Sequence, residues 1–249
     1  MQEHWESYMK PIDGYPATVS FNAETLDSSL DGEFAYAGFV KVFLNHPKDN
    51  GLIDLNEEIE IAFIEDRLEL ESLRYKVGKY VGRIITQGSV NFIYYLKYDF
   101  EWSYVSADAM KHFPDYRYEF GSRTDVEWEV YKKLLYPTSK EWQIIYNHLT
   151  CKRLQEAGDN LRLKRAIEHK IYFQTAANRE LYKELIQKEG FRIQKEIEPT
   201  DKISRYGLQF YRMDAPYYYE IDELTLSIID SSEQYGGEYD GWETSVVKV

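Results

Sequence analysis

The chain has few of the residues on which disulfides and metal sites depend. Its 249 residues include a single cysteine, Cys151, so no internal disulfide can form. Cys151 falls in a predicted helix, where a lone cysteine is typical of a small packing residue. The five histidines are scattered, and none is paired at the spacing of a helical zinc site. The sequence therefore predicts no metal site and no cofactor.

Long hydrophobic runs are also absent. No apolar run approaches the roughly 20 residues that a membrane-spanning helix needs. The first residues, Met1 to Glu6, have neither the basic region nor the apolar region of a signal peptide. The sequence predicts a cytoplasmic protein with no membrane contact.

Basic residues are in deficit. Lys and Arg total 30 against 43 Asp and Glu, which gives a net charge of -13. Direct nucleic-acid binding is disfavoured, because Lys and Arg supply most of the affinity for phosphate backbones. The aromatic strand Tyr206 to Tyr211 has no basic residue, unlike a base-stacking strand of an RNA-binding sheet. The acidity indicates either a basic partner or only a soluble surface.

Catalytic motifs are not found. No Gly-rich phosphate loop precedes a helix, and no Gly-x-Ser-x-Gly nucleophile motif occurs. An acidic cluster resembles acid/base or cation-binding carboxylates, but several of its members fall on a predicted solvated face. The cluster comprises Glu57, Glu58, Glu60, Glu65 and Asp66. The sequence therefore predicts no catalytic residue and no enzyme.

Aromatic residues are abundant, with 23 tyrosines, and alternating runs predict much β-sheet. After a turn at Asp13-Gly14, a strand is expected to bury Ala17, Val19 and Phe21 on one face. A helix should follow from about Asn56 to Lys76. Its apolar positions are near helical spacing and are expected to pack on the sheet: Leu55, Ile59, Phe63, Leu70 and Leu73.

The order of elements repeats along the chain. Residues 39–122 and 166–247 each read as β-α-β-β-α-β, which predicts an α+β protein of two tandem ferredoxin-like domains with antiparallel sheets. Pro137 marks the boundary, and Thr138 with Glu141 has the capping-box pattern of a helix start. The predicted domains are 1–137 and 138–249.

The last predicted helix is amphipathic. One apolar stripe is expected to face the core and consists of Tyr217, Ile221, Leu224 and Ile228. Four acids lie on the opposite side with Asp222 beside them: Glu220, Glu223, Asp230 and Glu233. This acidic face fits either a solvated helix surface or a docking surface for an Arg- or Lys-rich segment.

The segment after this helix carries a family resemblance. Gly236-Gly237 precedes Tyr239, Asp240, Gly241 and Trp242. With the acidic helix, this pattern resembles the regulator of ribonuclease activity B family, although Glu243 replaces that family's usual glycine. The resemblance spans about residues 140–249.

The resemblance implies a ferredoxin-like fold without catalytic residues, and inhibition of ribonuclease E through its noncatalytic, arginine-rich scaffold region. The protein-binding surface expected from it combines the acidic face with aromatic packing around the strand. It consists of Glu220, Glu223, Asp230, Glu233, Tyr239, Asp240 and Trp242.

The first domain resembles a bacterial family of unknown function, number six-nine-five in its series. The matching pieces are Asp13 to Ala17, Asn50 to Leu52 followed by Glu57-Glu58, Ile64 to Asp66, and Val81 to Ile84 running to Gly88. This resemblance implies the two-domain pairing, which recurs in bacteria, but no activity.

The sequence favours a non-catalytic, protein-binding regulator of an RNA-processing endoribonuclease. The alternative is an enzyme or small-ligand binder that uses the cleft between the domains. In a third interpretation the first domain supports dimerisation, which an apolar surface patch would indicate. The oligomeric state and the partner's identity stay open.

Overall fold

The computed structural model describes residues 4–25, 32–201 and 203–248. The chain divides into two compact units, Met1–Pro137 and Thr138–Val249. Each unit combines one antiparallel sheet with helices, which confirms the predicted α+β class. No helix in these described ranges is long and apolar enough to cross a membrane.

The sheet of the first unit has six strands in the order β1-β2-β4-β5-β3-β6. The strands are β1 (Trp5–Ile12), β2 (Tyr15–Asn22), β3 (Tyr36–Phe43), β4 (Gly78–Thr86), β5 (Ser89–Leu96) and β6 (Tyr118–Thr124). The β1–β2 hairpin turns at Asp13-Gly14, where both residues have positive φ. Ala17, Val19 and Phe21 are fully buried, as predicted.

Two helices cover one face of this sheet, α1 (Leu55–Tyr75) and α2 (Trp102–Met110). A π-helical turn, Tyr131–Leu135, contacts β2 and β4. It is fixed by a hydrogen bond of 2.7 Å from the Tyr131 hydroxyl to the carbonyl oxygen of Asn22. The aromatic stretch before residue 137 therefore packs against β2 and β4 as an irregular segment.

The face of α1 that packs on the sheet differs from the prediction. Ile61, Ile64 and Leu68 are buried in the core, whereas the five predicted residues are exposed. Two buried acids on the inward face make that face look polar in the sequence. Glu57 accepts hydrogen bonds from the backbone N–H groups of Asn45 (2.7 Å) and His46 (2.9 Å). Hydrogen bonding and ion pairing compensate for the burial of charge, so an acidic position can face inward.

The second acid, Glu71, is paired by two arginines of the same helix. Arg67 lies 2.6 Å and Arg74 3.2 Å from its carboxylate oxygens. Glu57 and Glu71 thus occupy inward positions that hydrophobic periodicity assigns to solvent. The apolar positions of α1 consequently divide between the core and the surface.

The sheet of the second unit has four strands in the order β10-β7-β9-β8. The strands are β7 (Arg165–Phe173), β8 (Arg192–Ile197), β9 (Tyr206–Asp214) and β10 (Glu238–Glu243), and the helices are α3 (Ser139–Glu156), α4 (Ala176–Lys188) and α5 (Tyr218–Glu233). The predicted capping box starts α3: Thr138 Oγ1 accepts from the Glu141 N–H at 3.3 Å, and the Glu141 side chain accepts from the Thr138 N–H at 2.7 Å.

The core of the second unit lies between this sheet and its helices. It includes Tyr182, Phe210 and Ile221, all fully buried. Cys151 belongs to the same core, and its thiol donates to the carbonyl oxygen of Pro216 at 3.2 Å. Burial raises the pKa of Cys151 to about 12, so the thiol stays protonated, as expected of a packing residue.

Candidate protein-binding surface

Helix α5 presents the acidic face because its opposite side is fixed in the core. Ile221, Leu224 and Ile228 are buried, and Tyr217 packs partly buried beside them, as the stripe predicts. Residues about half a turn away must then point outward, given about 100° per residue. The four predicted acids are all exposed: Glu220, Glu223, Asp230 and Glu233.

The C-terminal half of the acidic face already binds a cation of the same chain. Lys140, in the first turn of α3, forms ion pairs with Asp230 and, at 3.2 Å, with Glu233. The hydrogen bonds to Asp230 and Glu233 raise the pKa of Lys140. These groups are well exposed, so solvent screens the interaction and a competing cation can displace Lys140.

The N-terminal half of the acidic face lies beside a groove of about 500 Å³. Glu220 and Glu223 line it, and neither has an ion-pair partner in the part of the chain that the structure describes. Across the groove, the guanidinium of Arg162 lies 4.0 Å from the ring centre of Tyr217, and Arg212 pairs with Asp214 at 2.7 Å. The groove therefore mixes both charges with aromatic surface.

An exposed aromatic side chain stands within the acidic face. Tyr219 is 68 % exposed, and its hydroxyl donates a hydrogen bond to Glu223, which raises the pKa of Tyr219. A planar guanidinium can pair with a carboxylate while it stacks on an adjacent ring. Tyr219 and Glu223 offer this combination to a basic ligand.

Asp222, which adjoins the acidic face in sequence, is engaged elsewhere. Its carboxylate accepts from Asn147 Nδ2 at 2.9 Å and lies 2.8 Å from His148 Nε2, both on α3. Asp222 therefore helps to join two helices and is not part of the open surface.

Tyr239 points from β10 into the core. Its hydroxyl and Nδ1 of the fully buried His169 share a hydrogen bond of 2.7 Å. Burial raises the pKa of Tyr239 well above its usual value, so the hydroxyl stays protonated. Burial, reinforced by the charge of Arg212, lowers the pKa of His169 to about 3. The pair is neutral and holds β10 against β7.

Trp242 also faces the helices, whereas Asp240 faces solvent. The Trp242 indole N–H donates to Asn147 Oδ1 at 2.7 Å, and the ring packs against the core. Asp240 occupies a bulge in the pairing of β10 with β7 and pairs with Lys170 at 3.1 Å. The predicted site residues thus separate into exposed acids and two aromatic side chains that anchor the strand.

Three residues important to this geometry were not identified from the sequence: Lys140, Asn147 and His169. Each contacts a partner far away in the sequence. The separation is 90 residues between Lys140 and Asp230, 95 between Asn147 and Trp242, and 70 between His169 and Tyr239. No local spacing rule connects such pairs. The capping box that starts α3 at Thr138 is the one nearby signal, because it determines which α3 residues can reach α5.

Two other kinds of site are a metal centre and a groove on the first unit. No group of three or more His, Cys, Asp or Glu side chains with metal-binding geometry occurs in the described ranges. A groove of about 710 Å³ on the first unit contains Lys41 and Arg123. Lys41 on β3 is opposite Glu119, and Arg123 on β6 is opposite Ala37. The two cations are therefore four residues apart along the paired strands, about 13 Å.

Comparison with known proteins gives two family matches. Residues 145–244 match the family model described as Regulator of ribonuclease activity B (RraB). Residues 3–136, more than half of the chain, match the Family of unknown function (DUF695). Both matches agree with the resemblances found in the sequence, and no curated protein matches the chain.

One solved structure with similarity to the chain is titled a crystal structure of an unknown protein from Galdieria sulphuraria. It shares 9 % sequence identity over 86 % of this chain and 100 % of that chain, with a TM-score of 0.22. This TM-score is too low to indicate a common fold.

Proposed function

The chain belongs to the DUF695 family of unknown function, and because its second unit matches the RraB model, we propose that it is a non-catalytic regulator of an RNA-processing ribonuclease. It acts by binding a basic, Arg- or Lys-rich segment of its target protein. The observation that carries this proposal is the exposed acidic face of α5 within the RraB-matched region.

The fold assigned to both units is ferredoxin-like. In the second unit, the strand order β10-β7-β9-β8 follows a β-α-β-β-α-β sequence of elements. The first unit has the same arrangement in β4-β5-β3-β6, with the β1–β2 hairpin added beyond β4. These orders support the assignment, since the sequence of elements is that of the split βαβ motif.

The N-terminal half of the acidic face is the primary contact in this proposal. Glu220 and Glu223 need not release an internal cation, whereas Asp230 and Glu233 must first release Lys140. Tyr219 supplies an exposed ring next to Glu223. An arginine of the target would pair with Glu223 and stack on Tyr219.

The strand β10 has a supporting role in the proposed surface. Tyr239 and Trp242 hold β10 to β7 and α3 through His169 and Asn147. Asp240 is exposed on the same strand, but it pairs with Lys170 on the face of the sheet away from the helices, so it lies apart from the acidic face of α5. Regulation follows from occupancy, because a scaffold segment bound to this surface is not available for its other contacts.

The test is binding of the full chain to the arginine-rich scaffold region of ribonuclease E, measured by calorimetry at several salt concentrations. We expect affinity that falls with salt, because exposed charges attract the scaffold. The variant Glu220→Lys with Glu223→Lys should bind at least about tenfold more weakly, since two attractive charges become repulsive.

The control variant makes the same change in charge elsewhere on the second unit. Glu156→Lys with Glu184→Lys alters two exposed acids on α3 and α4. If this control weakens binding as much as the α5 variant, only the net charge matters and the surface assignment fails. If neither the chain nor the control binds the scaffold, the proposed target class is wrong.

A further inference from the structure

Helix α1 carries an apolar stripe that no described part of the first unit covers. Its members are the five residues Leu55, Ile59, Phe63, Leu70 and Leu73, named here the α1 stripe, and each is between 53 % and 74 % exposed. The opposite side of the helix already supplies Ile61, Ile64 and Leu68 to the core. From Leu55 to Leu73 the stripe spans 18 residue steps, about 27 Å of helix.

An exposed apolar row of this length is unusual for a surface helix. Single exposed apolar residues are common, but five on one face, interrupted only by Asp66 and rimmed by charges, indicate an interaction site. The rim consists of Glu58 and Glu69 on one side and Glu60 and Arg67 on the other. The stripe therefore has the form of a helix-packing interface without its second helix.

We propose that a second copy of this chain covers the α1 stripe, with the two α1 helices packed antiparallel about a two-fold axis that crosses the stripe at the level of residue 64. A two-fold interface must be self-complementary. The stripe meets this requirement, because Leu55 and Leu73 lie nine residues on either side of position 64. Ile59 and Leu70 lie five and six residues from it.

The antiparallel arrangement also separates the one acid within the stripe from its own copy. Asp66 is exposed and lies among the apolar positions of α1. A parallel, in-register pair would place the two Asp66 side chains directly opposite each other. In the antiparallel register, Asp66 faces Ala62 of the second copy, and the two carboxylates are offset along the axis.

Charges at the rim give no strong preference in this register. Glu60 comes opposite Arg67 of the second copy on one flank, because the two positions add to 127, close to twice 64. Arg67 is already paired with Glu71 of its own helix at 2.6 Å, so it adds little attraction. Glu58 and Glu69 meet on the other flank and oppose association weakly. Exposed charges of this kind contribute little, so the apolar contact determines the association.

The interface is small, since it involves one helix from each copy. Interfaces smaller than those of stable complexes usually give weak, concentration-dependent association. The proposal does not rest on the ribonuclease-regulator function, because it uses a different unit and a different force. High salt screens capture of a basic segment by α5, but it does not weaken apolar contact.

The first experiment is sedimentation velocity of the full chain from low to high micromolar concentration, at low and high salt. The mass should rise from one chain toward two with concentration at both salt levels. The variant Ile59→Gln with Leu70→Gln should weaken dimerisation by about tenfold or more, because four apolar side chains leave the interface. Both positions are exposed, so the fold should persist.

The matched control is Leu181→Gln with Met213→Gln, two side chains of the second unit that are 54 % and 56 % exposed. This control should dimerise like the parent chain. A chain that stays monomeric at every concentration overturns the proposal. An equal loss in the control also overturns it, because association would then be nonspecific.

Cross-linking tests the direction of the helices. Cys151 is buried, so engineered surface cysteines react without competition. A mixture of Leu55→Cys and Leu73→Cys chains should form a covalent heterodimer under mild oxidation, whereas neither variant alone should dimerise, because the two ends lie about 27 Å apart. Self-cross-linking of each single variant would contradict the antiparallel arrangement.

Discussion

The indole N–H of Trp242 donates a hydrogen bond of 2.7 Å to Oδ1 of Asn147, a side chain of α3 with no solvent exposure. The same oxygen accepts from Gln143 at 2.8 Å. The Asn147 amide nitrogen donates to Asp222 at 2.9 Å and to the Thr225 hydroxyl at 2.8 Å. One buried amide thus joins α3, α5 and β10, and all of its hydrogen-bonding groups are satisfied.

Asn147→Ala should destabilise the second unit by about 2 kcal/mol, because it leaves the partly buried Trp242 N–H without its acceptor and opens a small cavity. The free energy of unfolding can be measured from denaturant-dependent hydrogen exchange of the β7 and β9 amides. As a control, Gln143→Ala removes one partly exposed hydrogen-bond partner of Asn147 and should lower the free energy of unfolding by less than half as much. Equal losses in both variants would show that Asn147 has no central role.

His169 makes the stability of the second unit depend on pH. Burial, followed by the charge of Arg212, lowers its pKa from 6.5 to about 3. Its Nε2 is buried without a hydrogen-bond partner in the described part of the chain, so the charged imidazolium would keep an unpaired N–H in the core. As the pH falls below about 6.5, the unfolded chain takes up a proton that the folded chain does not. The contribution of neutral His169 is complete above pH 6.5 and is lost progressively toward pH 3.

The expected loss is about 1.4 kcal/mol per pH unit, or about 2 kcal/mol between pH 6.5 and pH 5. The test compares the unfolding free energies of the parent chain and His169→Gln over this interval, above the range where most carboxylates titrate. The variant is less stable at neutral pH, but its stability should fall less steeply with acid. Parallel curves would show that another group causes the pH dependence.

The two glycines before β10 have different physical roles. Gly236 has φ +63°, where an L-residue is strained, but a Cβ there would meet no atom within 4 Å. At Gly237 a Cβ would come within 2.7 Å of the Ser232 Cβ and 2.9 Å of the Ile171 Cδ1. Gly236→Ala should therefore cost about 1 kcal/mol, and Gly237→Ala about 2–3 kcal/mol. Chemical unfolding of each variant gives the two values, and the reverse order would contradict close packing at Gly237.

Features that depend on neighbouring residues could be predicted from the sequence. The capping box at Thr138 and Glu141 and the buried stripe of Ile221, Leu224 and Ile228 follow from spacings of three and four residues. Both were confirmed, because helix geometry alone determines them.

Features that depend on distant contacts or on buried charge could not be predicted. The predicted orientation of α1 was wrong because Glu57 and Glu71 are buried with hydrogen-bonding or ion-pair partners. With these acids, the inward face is less apolar than the outward face. Lys140 reaches Asp230 only because α3 and α5 pack together. A charge count along the sequence treats the acidic face as uniform, whereas the fold neutralises part of it.

Lys140 should act as an internal competitor of the basic ligand. Lys140→Gln frees Asp230 and Glu233, so the arginine-rich scaffold segment should bind about threefold more tightly at low salt, with the gain lost at high salt. Tm should not change, since the ion pairs are well exposed. Lys188→Gln, the same charge change on α4, is the control in calorimetric titrations. An equal gain in this control would mean that net charge, not release of Asp230 and Glu233, strengthens binding.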